Sequence, residues 1–204
     1  MDVLPAQVRC IRQLLADGAL GEVRTVSADH GEYFTADHRI MRPELAGGPL
    51  LDLGTYPVSF ANWVLGPPVN VLAAGQPHLA GVNGQASAIL SDHAGNQAVL
   101  HTTILSNTPT TGVIAGSQAT LTIPGPFYQP GGFTVTPFDG ADPLTYDEPQ
   151  TAHGALHFEA AEVARCVVEG RTDSPLRPLT DSVATMRVID EIRRQLDIVF
   201  DEER

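Results

Sequence analysis

Between Val69 and about Val135 the chain is a succession of short apolar runs cut by turn residues, and this pattern constrains the fold more than any other feature. The runs VNVLAA, GQASAILS, NQAVLHTTIL, TGVIAG, QATLTI and FTVT have the length and composition of strands. Asp92-His93-Ala94-Gly95-Asn96 separates two of them with the residues of a hairpin turn, and Gly116-Ser117 separates two more. Strands joined by tight turns pair antiparallel. Val23 to Tyr33 reads as a further strand with polar interruptions, and Pro124 to Pro149 as proline- and glycine-rich surface loops around one more strand.

Helical periodicity frames this block. Residues 5–16 place Val8, Ile11, Leu14 and Leu15 on one stripe, with Pro5 near the first turn and Asp17-Gly18 as the stop. A second helix is expected from near Pro49 to Gly66-Pro67. Two more close the chain: one from about 154 to 169, with Phe158, Ala161, Val163, Ala164 and Val167 available for packing, and one from about 180 to 196, with Val183, Met186, Ile189, Ile192 and Leu196 at intervals of three and four. Strands in a row with helices at both ends predict an α+β fold, a mostly antiparallel open sheet with helices packed on one face. The other face is left open or used in an interface. At 204 residues and 43% apolar content the chain is large enough for a substantial core, and one domain spanning 1–204 is expected.

Charge and composition exclude several functions. A formal net charge of -12 repels phosphate backbones and anionic membranes, so neither nucleic acid nor membrane is expected as a partner. No basic leader opens the chain and no run reaches the length of a membrane span, which makes a cytoplasmic setting the expectation. All 12 basic residues are arginines, so a lysine acid, a Schiff base or a phosphate-loop lysine has to come from elsewhere. Cys10 and Cys166 are far apart and read as buried free thiols. His153 and His157 stand four apart near Glu159 and Glu162 but lack a third ligand, so no metal site is expected. His93 belongs to a turn, and His101 alternates with apolar strand residues, facing solvent or a cleft. No GxGxxG, GxxxxGK[ST] or GxSxG motif is present.

One segment carries a chemical signal: Gly47-Gly48-Pro49-Leu50-Leu51-Asp52-Leu53-Gly54-Thr55-Tyr56-Pro57. Asp52 and Tyr56 are four apart, so a helical turn puts a carboxylate and a phenol on one face. Gly54 between them costs the helix about 0.5–1 kcal/mol, a cost that close approach by another molecule would offset. Pro57 removes an amide donor just after Tyr56 and is expected to kink the helix or loosen that turn. Two readings stand side by side at this point. Asp52 is a helix-terminus acid with Tyr56 a packing aromatic, or the two form a proton-handling pair. A phenol with a pKa of about 10 needs positive charge nearby to work at neutral pH. Arg39 and Arg42, in the loop before the helix, are the cations this chain offers. With His38 they are the candidate substrate-binding residues, and His30 shares with His38 the region around Tyr33.

The stretch from Pro43 to Pro57, with Phe60 and Leu65-Gly66 beyond it, resembles the signature of the Gfo/Idh/MocA oxidoreductase family, in particular its dihydrodiol and xylose dehydrogenase branch. Residues 169–179, with Ser182, Met186, Ile189-Asp190, Arg193 and Gln195, resemble the same family's C-terminal segment; Pro49 stands where the family has a third glycine. The resemblance implies a C-terminal substrate-binding and oligomerisation domain, with NAD or NADP held by a Rossmann domain that this chain lacks, so that the chain alone does not bind the cofactor. It implies that Tyr56 is the catalytic tyrosine, that Asp52 is the acid of the same helix, and that the catalytic lysine lies in an E-K-P segment outside this sequence. The implied reaction is hydride transfer between a nicotinamide and a sugar or cyclic diol. The expected partners are a small-molecule substrate, further copies of the chain through the sheet face, and a separate Rossmann-domain protein. The alternative is a non-catalytic oligomerisation or ligand-binding module.

Overall fold

The computed structural model describes residues 5–149, 155–200 and 203. Along the chain come helix α1 (Ala6–Ala16), strand β1 (Val23–Gly31), two 3-10 turns (Arg39–Met41 and Pro43–Leu45) and helices α2 (Pro49–Asp52) and α3 (Thr55–Leu65). Strands β2 (Asn70–Pro77), β3 (Asn83–Ser91), β4 (Gln97–Thr103), β5 (Gly112–Gly116), β6 (Ala119–Ile123), β7 (Phe133–Pro137) and β8 (Leu144–Tyr146) follow, then helices α4 (His157–Val168) and α5 (Leu179–Gln195). The strands form one eight-stranded sheet in the order β2-β3-β4-β1-β5-β6-β7-β8. All neighbours pair antiparallel except β1 and β4, which run parallel with Thr25 opposite Gln97 and Gly31 opposite Thr103. The α+β fold with a mostly antiparallel open sheet is thus as expected.

Inserting β1 between β4 and β5 forces the connection from Ile104 to Thr111 to pass over the end of β1. That crossing is tied down by Asp29, whose carboxylate accepts hydrogen bonds from the Thr110 amide at 2.7 Å, the Thr111 amide at 3.0 Å and the Thr111 hydroxyl at 2.9 Å. Burial pushes the Asp29 carboxyl up, but hydrogen bonds from Thr108, Thr111 and Thr110 outweigh it and hold the group below its ordinary value. The Gly31 amide donates to the Thr108 hydroxyl at 2.8 Å, which fixes the end of β1 next to the site described below.

Alternation sorts the strand residues into two faces. Val26 and Ala28 of β1, Ala86, Ala88 and Leu90 of β3, Ala98 and Leu100 of β4, Ile114 of β5 and Leu121 of β6 are buried in one core with Ile11 of α1, Val58, Phe60 and Ala61 of α3, and Val188, Ile189 and Ile192 of α5. The opposite face is open. One cross-strand row on it runs through all eight strands: Leu72, Ile89, Val99, Ser27, Val113, Thr122, Thr134 and Thr145. Its apolar end, Leu72, Ile89 and Val99, is exposed.

Two helices turn differently from their sequence periodicity. In α4 the expected packing residues Val163 and Val167 are 63% and 71% exposed, while Glu162 and Cys166 are buried. Arg165 clamps Glu162 through Nε at 2.8 Å and Nη2 at 2.7 Å, and the Ser174 hydroxyl donates to the same carboxylate from the loop that folds back after the helix. This polar network selects the inward face, so the apolar stripe points out. In α5, Val183 and Met186 are exposed, and the buried line runs through Thr185, Val188, Ile189 and Ile192. Cys166 is buried and Cys10 half-buried, both as free thiols.

Candidate active site

The single helix expected from Pro49 is two pieces. At its start Gly48 has φ 103°, a conformation open to glycine, and a Cβ on Gly47 would lie 2.5 Å from the Ile40 carbonyl. Gly47 donates to the Arg42 carbonyl at 3.0 Å and Gly48 to the Ile40 carbonyl at 2.7 Å. These contacts fold the 39–46 loop against the opening of α2 and return Arg39 to Asp52, with Arg39 Nη2 and Asp52 Oδ2 2.7 Å apart.

The helical ladder slips at Leu53 and Gly54. The amides of both donate to the Pro49 carbonyl at 2.8 Å, so the second bond spans five residues, and the Tyr56 amide reaches back only three residues, to Leu53, at 3.4 Å. Gly54 keeps ordinary right-handed helical angles. A Cβ there would lie 2.6 Å from the Leu50 carbonyl. Gly54 thus permits a close approach by its own chain, at the Leu50 carbonyl. Pro57 has no amide to offer the Leu53 carbonyl in the regular pattern, which leaves that carbonyl with the long Tyr56 bond.

His30 sits on β1, 4% exposed, below two half-exposed phenols: Tyr56 at 41% and Tyr128 at 37%. Its ring centroid is 5.2 Å from Tyr56, edge-on at 69°, and 5.0 Å from Tyr128. Tyr56 and Tyr128 are 4.2 Å apart. Tyr128 is carried by the loop between β6 and β7, anchored by its neighbour Phe127, which is buried 5.2 Å from Phe60 of α3. Burial lowers the His30 pKa, against the Leu53 carbonyl and the charges of Glu32, Asp52 and Asp29, which favour protonation. Burial, then the neighbouring Tyr56 and Glu32, raises that of Tyr128. The Nδ1 of His30 is buried without a hydrogen-bond partner among the described residues.

Of the residues singled out from the sequence, Arg39 and Asp52 pair with each other, and Tyr56 meets His30. The Nδ1 of His38 accepts from the Ile40 amide at 3.2 Å, and its ring stacks on Phe34 at 4.4 Å, so it caps a 3-10 turn. Arg42 is exposed, and its carbonyl holds the loop. His101 lies on the open sheet face with its Nδ1 2.9 Å from the Ser87 hydroxyl. His157 packs on Phe158, and His153 lies outside the described residues. Tyr128 was not singled out, because its loop has no periodicity to read; its one signal is an aromatic pair set among prolines and glycines. Among the described residues no metal-ligating cluster of three or more side chains exists, and no helix is long and apolar enough to cross a membrane.

The open sheet with helices on one face, carrying a carboxylate and a half-exposed phenol on a broken helix, has counterparts among solved structures. The same architecture occurs in a 3-ketoreductase from Actinomadura kijaniata solved with NADP and TDP-benzene, at a TM-score of 0.80 and 22% identity over 93% of this chain and 58% of that one. It occurs also in the aldose-aldose oxidoreductase of Caulobacter crescentus complexed with glycerol, at a TM-score of 0.77 and 26% identity over 91% of this chain and 56% of that one. A family described as the GFO/IDH/MocA C-terminal domain matches residues 8–122, from α1 into β6. Trans-1,2-dihydrobenzene-1,2-diol dehydrogenase of Xenopus tropicalis is 32% identical over 199 residues, covering 93% of this chain and 59% of the relative. The chain belongs to the Gfo/Idh/MocA oxidoreductase family and corresponds to its C-terminal domain. It spans 59% of the length of that relative.

Proposed function

We propose that residues 1–204 form the substrate side of an NAD(P)-dependent oxidoreductase that moves hydride between a nicotinamide and a sugar or cyclic diol, acting together with a nucleotide-binding domain. The observation that carries this reading is the half-exposed Tyr56 phenol, four residues after the Arg39-paired Asp52, in a chain whose relatives include a diol dehydrogenase. Tyr56 gives or takes the proton of the reacting alcohol. Asp52, held by Arg39, orients the segment that carries it rather than transferring protons.

The described residues do not fit a dinucleotide diphosphate. The glycines that open α2 are filled by the chain's own Ile40 and Asn83 backbone, and α2 is only four residues long. The nicotinamide, and the hydride chemistry it supplies, are therefore assigned to the partner domain. In the assembled enzyme Tyr56→Phe is expected to lower kcat/KM by about 10²–10⁴-fold, the usual weight of general acid–base catalysis. An unchanged kcat/KM removes the proposal.

The exposed Leu72, Ile89 and Val99 favour a second reading that is compatible with the first: the open sheet face joins copies of the chain. As a purely structural module the chain would assemble through this face and turn over nothing. Calorimetric titration with NADH and NADPH, before and after adding a nucleotide-binding domain, separates the two. Binding that appears only with the added domain supports the enzyme reading, and none in either case supports the module.

A further inference from the structure

His30 is the one buried histidine among the described residues, and it has no part in the proton transfer proposed for Tyr56. We infer that His30 is a positioning residue for Tyr56: its imidazole, packed against the Tyr56 and Tyr128 rings, sets where the Tyr56 ring stands, and protonating it displaces that ring. The inference rests on the reading of Tyr56 as the proton-handling phenol.

Three observations converge on it. Pro57 offers no amide to the Leu53 carbonyl, which keeps only a long bond of 3.4 Å from the Tyr56 amide and favours a proton on His30, so β1 and the turn that presents Tyr56 interact through it. The Tyr56 ring meets His30 edge-on at 5.2 Å and Tyr128 at 4.2 Å, so a shift of the imidazole is passed directly to the phenol. The buried Nδ1 of His30 and the buried hydroxyl of Thr102, its register partner on β4, are both without hydrogen-bond partners among the described residues. A neutral imidazole tolerates this arrangement, since its bare nitrogen carries no charge to be left unpaired.

No carboxylate is hydrogen-bonded to His30 to receive a second ring proton, and the unpartnered Thr102 hydroxyl is neutral and would leave the charge buried. The charged and titratable groups around His30 are Glu32, Asp52, Asp29, Tyr56 and Tyr128. Asp29 is saturated by Thr110 and Thr111, and Asp52 is taken by Arg39. Glu32 is exposed. A charged imidazole therefore has to move towards Glu32 and water, and the Tyr56 packing moves with it. Burial already opposes that proton, so the change falls on the acid side of the ordinary histidine range.

The test is an NMR pH titration of the 204-residue chain with labelled histidine and tyrosine rings. The expected result is a His30 inflection below the ordinary histidine value, the same inflection in the Tyr56 and Tyr128 ring signals, and none in Tyr146 on β8. His30→Phe keeps a ring in place and is expected to abolish the Tyr56 inflection. His30→Asn is expected to do the same, should the larger replacement prevent folding. Tyr56 signals that ignore the His30 titration, or an inflection that persists in either variant and so comes from the carboxylates, overturn the inference. No turnover is measured, so a failed catalytic role for Tyr56 and a failed coupling to His30 give different results: the first appears only in kcat/KM, the second only in the ring signals.

Discussion

Arg39 reaches across 13 residues of chain to place its Nη2 2.7 Å from Asp52 Oδ2. The pair exists because Gly47 and Gly48 let the loop close on the start of α2, and both partners keep contact with water. Exposed pairs of this kind add about 0–1 kcal/mol. Arg39→Gln is therefore expected to move the urea midpoint of the chain only slightly. Its cost is expected in kcat/KM of the assembled enzyme, because Asp52 loses its fixed position. A large stability loss with unchanged kinetics contradicts this assignment.

Packing sets a contrast between two apolar substitutions. Ile114, fully buried at the centre of the sheet, is expected to cost about 2–5 kcal/mol when replaced by alanine. Val167→Ser on the outward stripe of α4 is expected to stay within about 0.5 kcal/mol. Denaturant unfolding of the two variants checks both values, and a costly Val167→Ser would mean that α4 packs inward after all.

Acid stability has a defined window at Glu162. The Arg165 guanidinium, then the Ser174 hydroxyl, hold its carboxyl at about 2 against an ordinary 4.5. A depressed carboxyl contributes stability that is complete above the ordinary value and is lost as pH falls through the folded one. The difference in stability between the wild type and Glu162→Gln is thus expected to be constant at neutral pH and to shrink between about 4.5 and about 2. Unfolding curves of both proteins across that range decide it, and a difference independent of pH would rule the network out.

Association through the open sheet face is tested at Val99, the inner member of its apolar end. Val99→Glu adds a negative charge to a chain that already carries -12, and is expected to shift the chain towards monomer in light scattering at equal concentration. Its core face is untouched, so far-UV circular dichroism is expected to be unchanged. An unaltered assembly state would place the contact elsewhere.

What could be read in advance and what could not divides along the chain. The six apolar runs became strands, and Asp92 to Gly95 became the turn between β3 and β4, because alternation and turn chemistry are encoded by residues next to one another. Asp52 and Tyr56 were legible for the same reason, lying within a few residues of each other. The outward stripe of α4 was not, since periodicity locates an apolar face without saying what it meets, and the Arg165–Glu162–Ser174 network decided the matter.

The sequence by itself determined the class of fold, the family, and the short segment that presents a carboxylate and a phenol. The tertiary structure decided which residues stand around that phenol. His30 comes from β1 and Tyr128 from a loop without pattern beyond β6, while Arg39, from a turn closed by two glycines, meets Asp52. Their meeting depends on the register of β1 between β4 and β5 and on the closure of the 39–46 loop onto α2, which are relations between distant parts of the chain. Local propensity acts over a few residues, and only the packing of the whole sheet brings such groups within hydrogen-bonding or ring-contact distance.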